Sequence, residues 1–378
     1  MIDTQTGIIM SDTRTVIQPL HPSVRGRLDP EYVELHDAVL QYFPRTESLT
    51  FHPVTSRNAT SPMAHGSQKV AEVGKTEDRI IFTDPKDGST IDVRIFTPEG
   101  AAPSTGWPLL AWYHGGGWVM GGLNSENGFL THICKYLRSI VISINYRHAP
   151  EHVYPAAFND SFTGYKWAVS PETVAELNID IERIAIGGLS AGGGLTASVA
   201  MKIAQAAAAS PASSLPKPCY QVLICPVIDN TVTVDTAPAV RAGWKESQHS
   251  PWLTPARMQW YRNKYFGTDP ETVAKSTAEW EASPCFASDE MLASSPATFL
   301  GVSGCDLLGP EAIAYGEQLS RAGVAVETQT YAGGTHSILV LAGIHKLSQK
   351  MVHDASASLA SAWGLAYDTS SAPILSQK

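Results

Sequence analysis

A chain of 378 residues with 43% hydrophobic and 17% charged residues has the composition of a soluble, core-forming protein and leaves no room for a largely disordered one. Its formal net charge of −9, with no basic stripe, excludes a phosphate-backbone partner, because nucleic-acid binding depends on clustered Lys and Arg. No run of about 18 apolar residues occurs, so no membrane span is expected.

The N-terminus lacks a basic stretch followed by an apolar one, so no secretory signal is read and a cytoplasmic location is expected. In the first 75 residues, Tyr32, Leu35, Val39 and Leu40 recur at helical spacing within 29–42, and a polar stretch over 56–75 reads as loop. Strand patterns begin at Arg79. Segments 79–83 and 90–96 flank the turn-rich Asp84-Pro85-Lys86-Asp87-Gly88 and predict a hairpin.

Short apolar runs then recur at 109–113, 140–144, 183–186, 220–224, 298–302 and 324–331. Runs this short and this apolar suit strands buried on both faces. Between and after them lie helix-length segments at 126–137, 156–168, 191–209, 311–322 and 337–360. The alternation predicts an α/β fold, an eight-stranded, mainly parallel sheet with helices on both faces. Residues 229–283 break the rhythm with helical patches rich in Trp and Tyr, and read as a cap or lid above the sheet. The expected organisation is an N-terminal cap segment (1–75), a core in two parts (76–228 and 284–378), and the cap insertion between them.

Gly188-Leu189-Ser190-Ala191-Gly192 fits G-x-S-x-G, a weak pattern in isolation. Its setting sharpens it, since it follows an expected strand and opens a long helix, the context of a nucleophile elbow. The serine must sit on a strained turn, and flanking glycines remove the Cβ atoms that would clash there. His114-Gly115-Gly116-Gly117-Trp118 follows an earlier strand, where consecutive glycines let backbone N–H groups face a developing oxyanion. Gly115, Gly116 and Ala191 are the expected donors, with His114 a structural hydrogen-bonder of the loop.

An activated serine needs a histidine base and a carboxylate to hold that base's tautomer. His336 lies in the turn after the last strand, whereas His345 and His353 fall inside the expected final helix. Asp306 comes directly after the run 298–302, at a strand's C-terminal end. Its rival Glu311 opens a helix, where a first-turn glutamate ordinarily complements the helix dipole. The expected catalytic set is therefore Ser190, Asp306 and His336. Of the five cysteines, at irregular spacing, most read as buried small hydrophobes, and no metal or organic cofactor is expected.

Together these motifs resemble the hormone-sensitive-lipase-like carboxylesterases, a group that includes arylacetamide deacetylases. His114–Trp118 matches that family's HGGG segment, Tyr146-Arg147-His148-Ala149-Pro150-Glu151-His152 resembles its YRLAPEH, and Gly188–Gly193 resembles its GDSAGG. Asp306-Leu307-Leu308 stands at its DPL. Leu189 replaces the usual Asp or Thr, Leu307 a proline, and Ser337 a frequent glycine. The resemblance runs from Arg79 to the final helix. It implies an α/β-hydrolase fold with a helical cap, and a serine esterase acting on a small-molecule ester through an acyl-enzyme. Arg147 and Glu151 read as structural ion-pairing residues. Trp118 and Leu189 are the candidate substrate-binding residues; Trp118, Met120 and the insertion's aromatics would form an apolar pocket for short acyl chains or aromatic esters. Relatives on this fold also act as lyases, cyclases or acyltransferases on specialised metabolites. Others are ligand-binding receptors, which commonly lack part of the triad that is complete here.

Overall fold

Residues 14–59, 61, 66–84, 88–209, 215–236 and 243–376 are described by the structure, a computed structural model. Eight strands form one sheet: β1 (Lys75–Asp84), β2 (Ser89–Thr97), β3 (Trp107–Tyr113), β4 (Ile140–Asn145), β5 (Ile179–Leu189), β6 (Tyr220–Ile224), β7 (Ala297–Ser303) and β8 (Val326–Tyr331). Their order is β1-β2-β4-β3-β5-β6-β7-β8. The hairpin β1–β2 and the pair β2–β4 are antiparallel, and every later pair is parallel. Residues 85–87 of the expected hairpin turn lie outside the described residues.

Every residue of β3 is buried, as an apolar run covered on both faces must be. The pleat sends Leu109, Ala111 and Tyr113 to one face and Leu110 and Trp112 to the other. The helices are α1 (Pro22–Arg25), α2 (Pro30–Ala38), α3 (Pro53–Asn58), α4 (Asn127–Tyr136), α5 (Ala156–Ala168), α6 (Pro171–Leu177), α7 (Ala191–Ala209), α8 (Pro255–Phe266), α9 (Pro270–Thr277), α10 (Asp289–Leu292), α11 (Gly309–Arg321) and α12 (Lys346–Ala362). Phe158 and Tyr165 of α5 and Leu195 and Val199 of α7 pack on the first face; Leu130 and Ile133 of α4 and Met351 and Leu359 of α12 pack on the second. No helix among the described residues is long and apolar enough to cross a membrane. The cysteines form no disulfide among the described residues, and Cys134, Cys225 and Cys305 are buried.

The structure departs from these expectations at several points. The segment 337–360 is not one helix but a 3₁₀ turn (Ile338–Leu341) followed by α12. The break comes at Gly343, whose N–H donates to Gly66 O and where a Cβ would collide with Ser67 O. His345 therefore lies outside the helix, buried, with Nδ1 against Ser348 Oγ at 2.7 Å. The polar stretch from 56 also overlaps the end of α3, and α6 was not foreseen despite its Ser170 cap and Pro171.

Parallel strands joined by helices deliver their C-terminal ends to one edge, so the loops after β3, β5, β7 and β8 meet there. The N-terminal segment and α8, from the insertion before β7, lie over that edge. Arg257 of α8 donates to Glu47 Oε2 at 2.8 Å, and Phe51 meets Trp260 edge-on at 5.6 Å. Arg57 of α3 donates to Val119 O at 2.7 Å and pairs with Glu151.

The segment leaving β6 is tied to α11 by Glu311. Its Oε1 accepts from Ile228 N at 2.9 Å and Asp229 N at 3.3 Å, and its Oε2 from Trp244 Nε1 at 3.3 Å. Arg262, also buried, donates to Asp229 O and Val232 O and lies over the Trp244 ring. The helix-dipole role expected for Glu311 thus gives way to a buried polar junction. Burial pushes its carboxyl up to about 7, so between pH 4.5 and 7 the folded state holds more protons than the unfolded one. Its contribution is full at low pH and declines as pH rises through about 7. Glu311→Ala strands two amides and an indole N–H, and is expected to cost ~2–4 kcal/mol. Thermal melts should show the largest deficit near pH 5 and a smaller one at pH 8.

Candidate active site

β5 ends at Leu189 and α7 begins at Ala191, leaving Ser190 alone on the turn with φ of 57°. Left-handed backbone is costly for a residue with a side chain, and contacts on both sides hold it here. Ser190 N–H donates to Ile224 O at 2.9 Å, and Ser190 O accepts from Gly194 N and Val227 N at 3.0 Å each. Gly192 is required by close approach, since a Cβ there would collide with Tyr113 O. The turn thus wedges against the end of β3 and projects Oγ above the sheet edge.

Asp306 and His336 reach the same point from β7 and β8. Cys305 N–H donates to Gly334 O at 2.8 Å, binding the two loops together, and Gly333 O accepts from Asp29 N at 3.1 Å. His336 Nδ1 lies 2.8 Å from Asp306 Oδ2, and His336 Nε2 lies 2.8 Å from Ser190 Oγ. Asp306 Oδ1 also accepts from Leu308 N at 3.2 Å, which fixes the carboxylate plane. A carboxylate can only accept, so Nδ1 carries the imidazole proton and Nε2 accepts from the serine hydroxyl. Asp306 is 1% exposed, while Ser190 at 7% and His336 at 8% keep a narrow opening to solvent. Such a line can move a proton off Oγ as it attacks an electrophile.

The glycine loop is directed peptide by peptide. Gly115 O accepts from His114 Nδ1 at 2.7 Å, so the N–H of the same trans peptide, that of Gly116, points the opposite way. Gly116 O accepts from Val119 N and Met120 N at 3.2 and 2.9 Å, which turns Gly117 N–H outward likewise. Ser190 O, held as above, does the same for Ala191 N–H. None of these three N–H groups has a hydrogen-bond partner among the described residues. Burial lowers His114 to about 4, which keeps it a neutral donor at Nδ1.

Gly115 is the exception among the expected donors. Its N–H is directed at Glu126 Oε1, 3.4 Å away, which leaves Gly116, Gly117 and Ala191 as the glycine-loop and elbow residues whose N–H groups are unpartnered among the described residues. Glu126 itself, expected to start a helix, precedes α4 in left-handed conformation with φ of 50°. Burial pushes its carboxyl up to about 7. Trp118, expected to bind substrate, is 3% exposed, with its ring stacked on Tyr265 of α8 at 4.5 Å. Leu189 is buried beneath the loop with its side chain against Gly115. Tyr261 of α8 covers the loop instead, its ring pressed on Gly117 where a Cβ would collide. Arg147 pairs with Asp160 at 2.8 Å, away from the triad residues. Cys225 brings its Sγ within 4.8 Å of ligand-type atoms of Asp306 and His336, but those two side chains are already joined to each other.

A family model described as alpha/beta hydrolase fold matches residues 110–340. Over 357 residues the chain is 35% identical to an AB hydrolase superfamily protein of Schizosaccharomyces pombe, covering 94% of this chain and 100% of that one. It is 27% identical to the ethyl acetate hydrolase of Pseudomonas putida, over 78% of this chain and 87% of the relative. A solved ester-hydrolase from the metagenome of Lake Arreo, complexed with a derivative of bipyridine phosphonate, superposes with a TM-score of 0.72 at 27% identity, covering 92% and 100% of the two chains.

Proposed function

This chain belongs to the hormone-sensitive-lipase-like family of the α/β-hydrolase fold, and on that premise we propose that it hydrolyses carboxylic esters through an acyl-enzyme on Ser190. The observation that carries this reading is the line Asp306–His336–Ser190, with 2.8 Å at each step, beside three unpartnered N–H groups.

Ser190 Oγ attacks the ester carbonyl carbon while His336 Nε2 takes the hydroxyl proton. The carbonyl oxygen becomes an oxyanion, stabilised by the N–H groups of Gly116, Gly117 and Ala191. Asp306 stays ionised and stabilises the imidazolium. Collapse breaks the bond to the leaving alcohol, whose oxygen receives the proton from His336. Water then repeats the sequence on the acyl-serine and releases the acid.

The substrate class we propose is short-chain or aromatic esters. Tyr261, with Trp260 against it at 5.0 Å and Phe51 beyond, forms an aromatic wall over the oxyanion loop, and Ser190 is reached through a narrow opening. Residues 229–283 and the N-terminal segment act together as the cap, which the contacts of α8 with Glu47 and Phe51 support. The test is a p-nitrophenyl ester series from acetate to decanoate, with mass spectrometry of the fluorophosphonate-treated protein. Turnover should be highest for the short chains, with the adduct on Ser190. Labelling without turnover of any ester would move the reaction away from hydrolysis.

A further inference from the structure

We infer that Glu126 is a positioning residue for the oxyanion loop: by holding the N–H of Gly115 it fixes the peptide planes that aim Gly116 N–H at the developing oxyanion. The inference rests on the hydrolytic reading above and deepens it.

Two successive peptides carry the case. In the His114–Gly115 peptide, the carbonyl oxygen accepts from Tyr146 Oη–H at 2.8 Å and the N–H is directed at Glu126 Oε1 at 3.4 Å. In the Gly115–Gly116 peptide, the carbonyl accepts from His114 Nδ1–H and the N–H is unpartnered. The first plane is therefore gripped at both ends, and the second inherits its setting through the Gly115 Cα, which no side chain restrains. Glu126 is anchored in turn. Its Oε2 accepts from Trp112 Nε1 at 3.3 Å, and Trp112 lies in β3, two residues before His114. One carboxyl thus couples the rigid strand end to the adaptable loop. Its left-handed backbone, with φ of 50° and ψ of 13°, is the sort of strained conformation that persists only where surrounding contacts fix it.

Without the carboxyl, the Gly115 N–H and the Trp112 indole lose their acceptor and the loop loses one of its three side-chain clamps, with Tyr146 and His114 remaining. The Gly116 donor is then misaimed while the triad and the substrate pocket stay in place. Loss of one oxyanion donor costs about 10²–10³ in kcat, and misaiming one costs part of that.

The test compares Glu126→Ala, Glu126→Gln and Trp112→Phe with the unaltered chain on p-nitrophenyl acetate, and measures inhibition by an aryl trifluoromethyl ketone, which binds as an oxyanion. Glu126→Ala should lower kcat by about 10- to 100-fold with KM within about twofold, and weaken the ketone by the same factor. Glu126→Gln, which keeps an oxygen for Gly115 N–H, should recover most of the loss, and Trp112→Phe should show a smaller loss of the same kind. A kcat within twofold in Glu126→Ala overturns the inference. So does a joint fall of kcat, ketone affinity and melting temperature that glutamine fails to rescue. Ser190→Ala is run in parallel: if it kept full turnover, the hydrolytic reading would fall and take this inference with it. If it is inactive and Glu126→Ala is not impaired, this inference alone falls.

Discussion

Replacing Ser190 with Ala is expected to lower kcat by about 10⁴- to 10⁶-fold. The side chain's hydrogen bond to His336 Nε2 is the only one it makes among the described residues, while its main chain remains held by Ile224, Gly194 and Val227. Alanine at φ of 57° carries a strain like serine's, so the turn should survive and the melting temperature should move little. What disappears is the nucleophile. Any residual rate would come from water attacking an ester bound against the N–H groups of Gly116, Gly117 and Ala191. The measurement is steady-state turnover of p-nitrophenyl acetate together with the pre-steady-state burst. Retention of a burst in the variant would place the acyl group on another residue.

Asp306→Asn is expected to cost about 10⁴-fold in kcat by a different route. Asp306 Oδ1 accepts from Leu308 N at 3.2 Å, and Oδ2 faces His336 Nδ1 at 2.8 Å. Asparagine keeps its oxygen on Leu308 N–H and so turns its amide NH₂ toward Nδ1. That nitrogen must then accept, the imidazole proton moves to Nε2, and the ring donates to Ser190 where it should accept. Geometry is kept and the tautomer is wrong. The loss should therefore appear in kcat with little change in KM or in melting temperature, and fluorophosphonate labelling of Ser190 should slow in parallel. Near-normal labelling with the asparagine in place would show that the histidine acts without a fixed tautomer.

Much of the layout follows from local patterns. The hairpin pattern marks the first two strands and six short apolar runs mark the others to within a few residues, most clearly β3, β4 and β6, whose burial on both faces requires apolar side chains. Ser190, Asp306 and His336 each stand beside a strand end with small residues around them, so residue type and position together point to the edge where the structure brings them into contact. Other features depend on partners distant in sequence. Nothing in residues 341–345 reveals that the chain at 66–67 passes against Gly343 and divides the last helical segment. Which glycines free their N–H groups is decided by what binds each preceding carbonyl, and those partners, His114, Val119 and Met120, are ordinary by type. Glu126 reads as a first-turn acid on any helical pattern, and only the folded strand end shows Trp112 beside it. Nor does the sequence around Trp118 show that Tyr265, over a hundred residues later, stacks on its ring.

The two layers of the molecule are fastened in different ways. Below, the loops bearing Ser190, Asp306 and His336 are held by main-chain bonds, such as Cys305 N–H to Gly334 O between two of them and Ser190 N–H to Ile224 O at the end of β6. Above, α8 rests on the glycine loop and the N-terminal segment largely through side chains: the Tyr261 face on Gly117, the Trp118–Tyr265 stack and the Arg257–Glu47 pair. Main-chain bonds persist through most substitutions, and side-chain contacts change with each one. A lineage can therefore rewrite which ester it accepts, residue by residue in the upper layer, without renegotiating how the bond is cut.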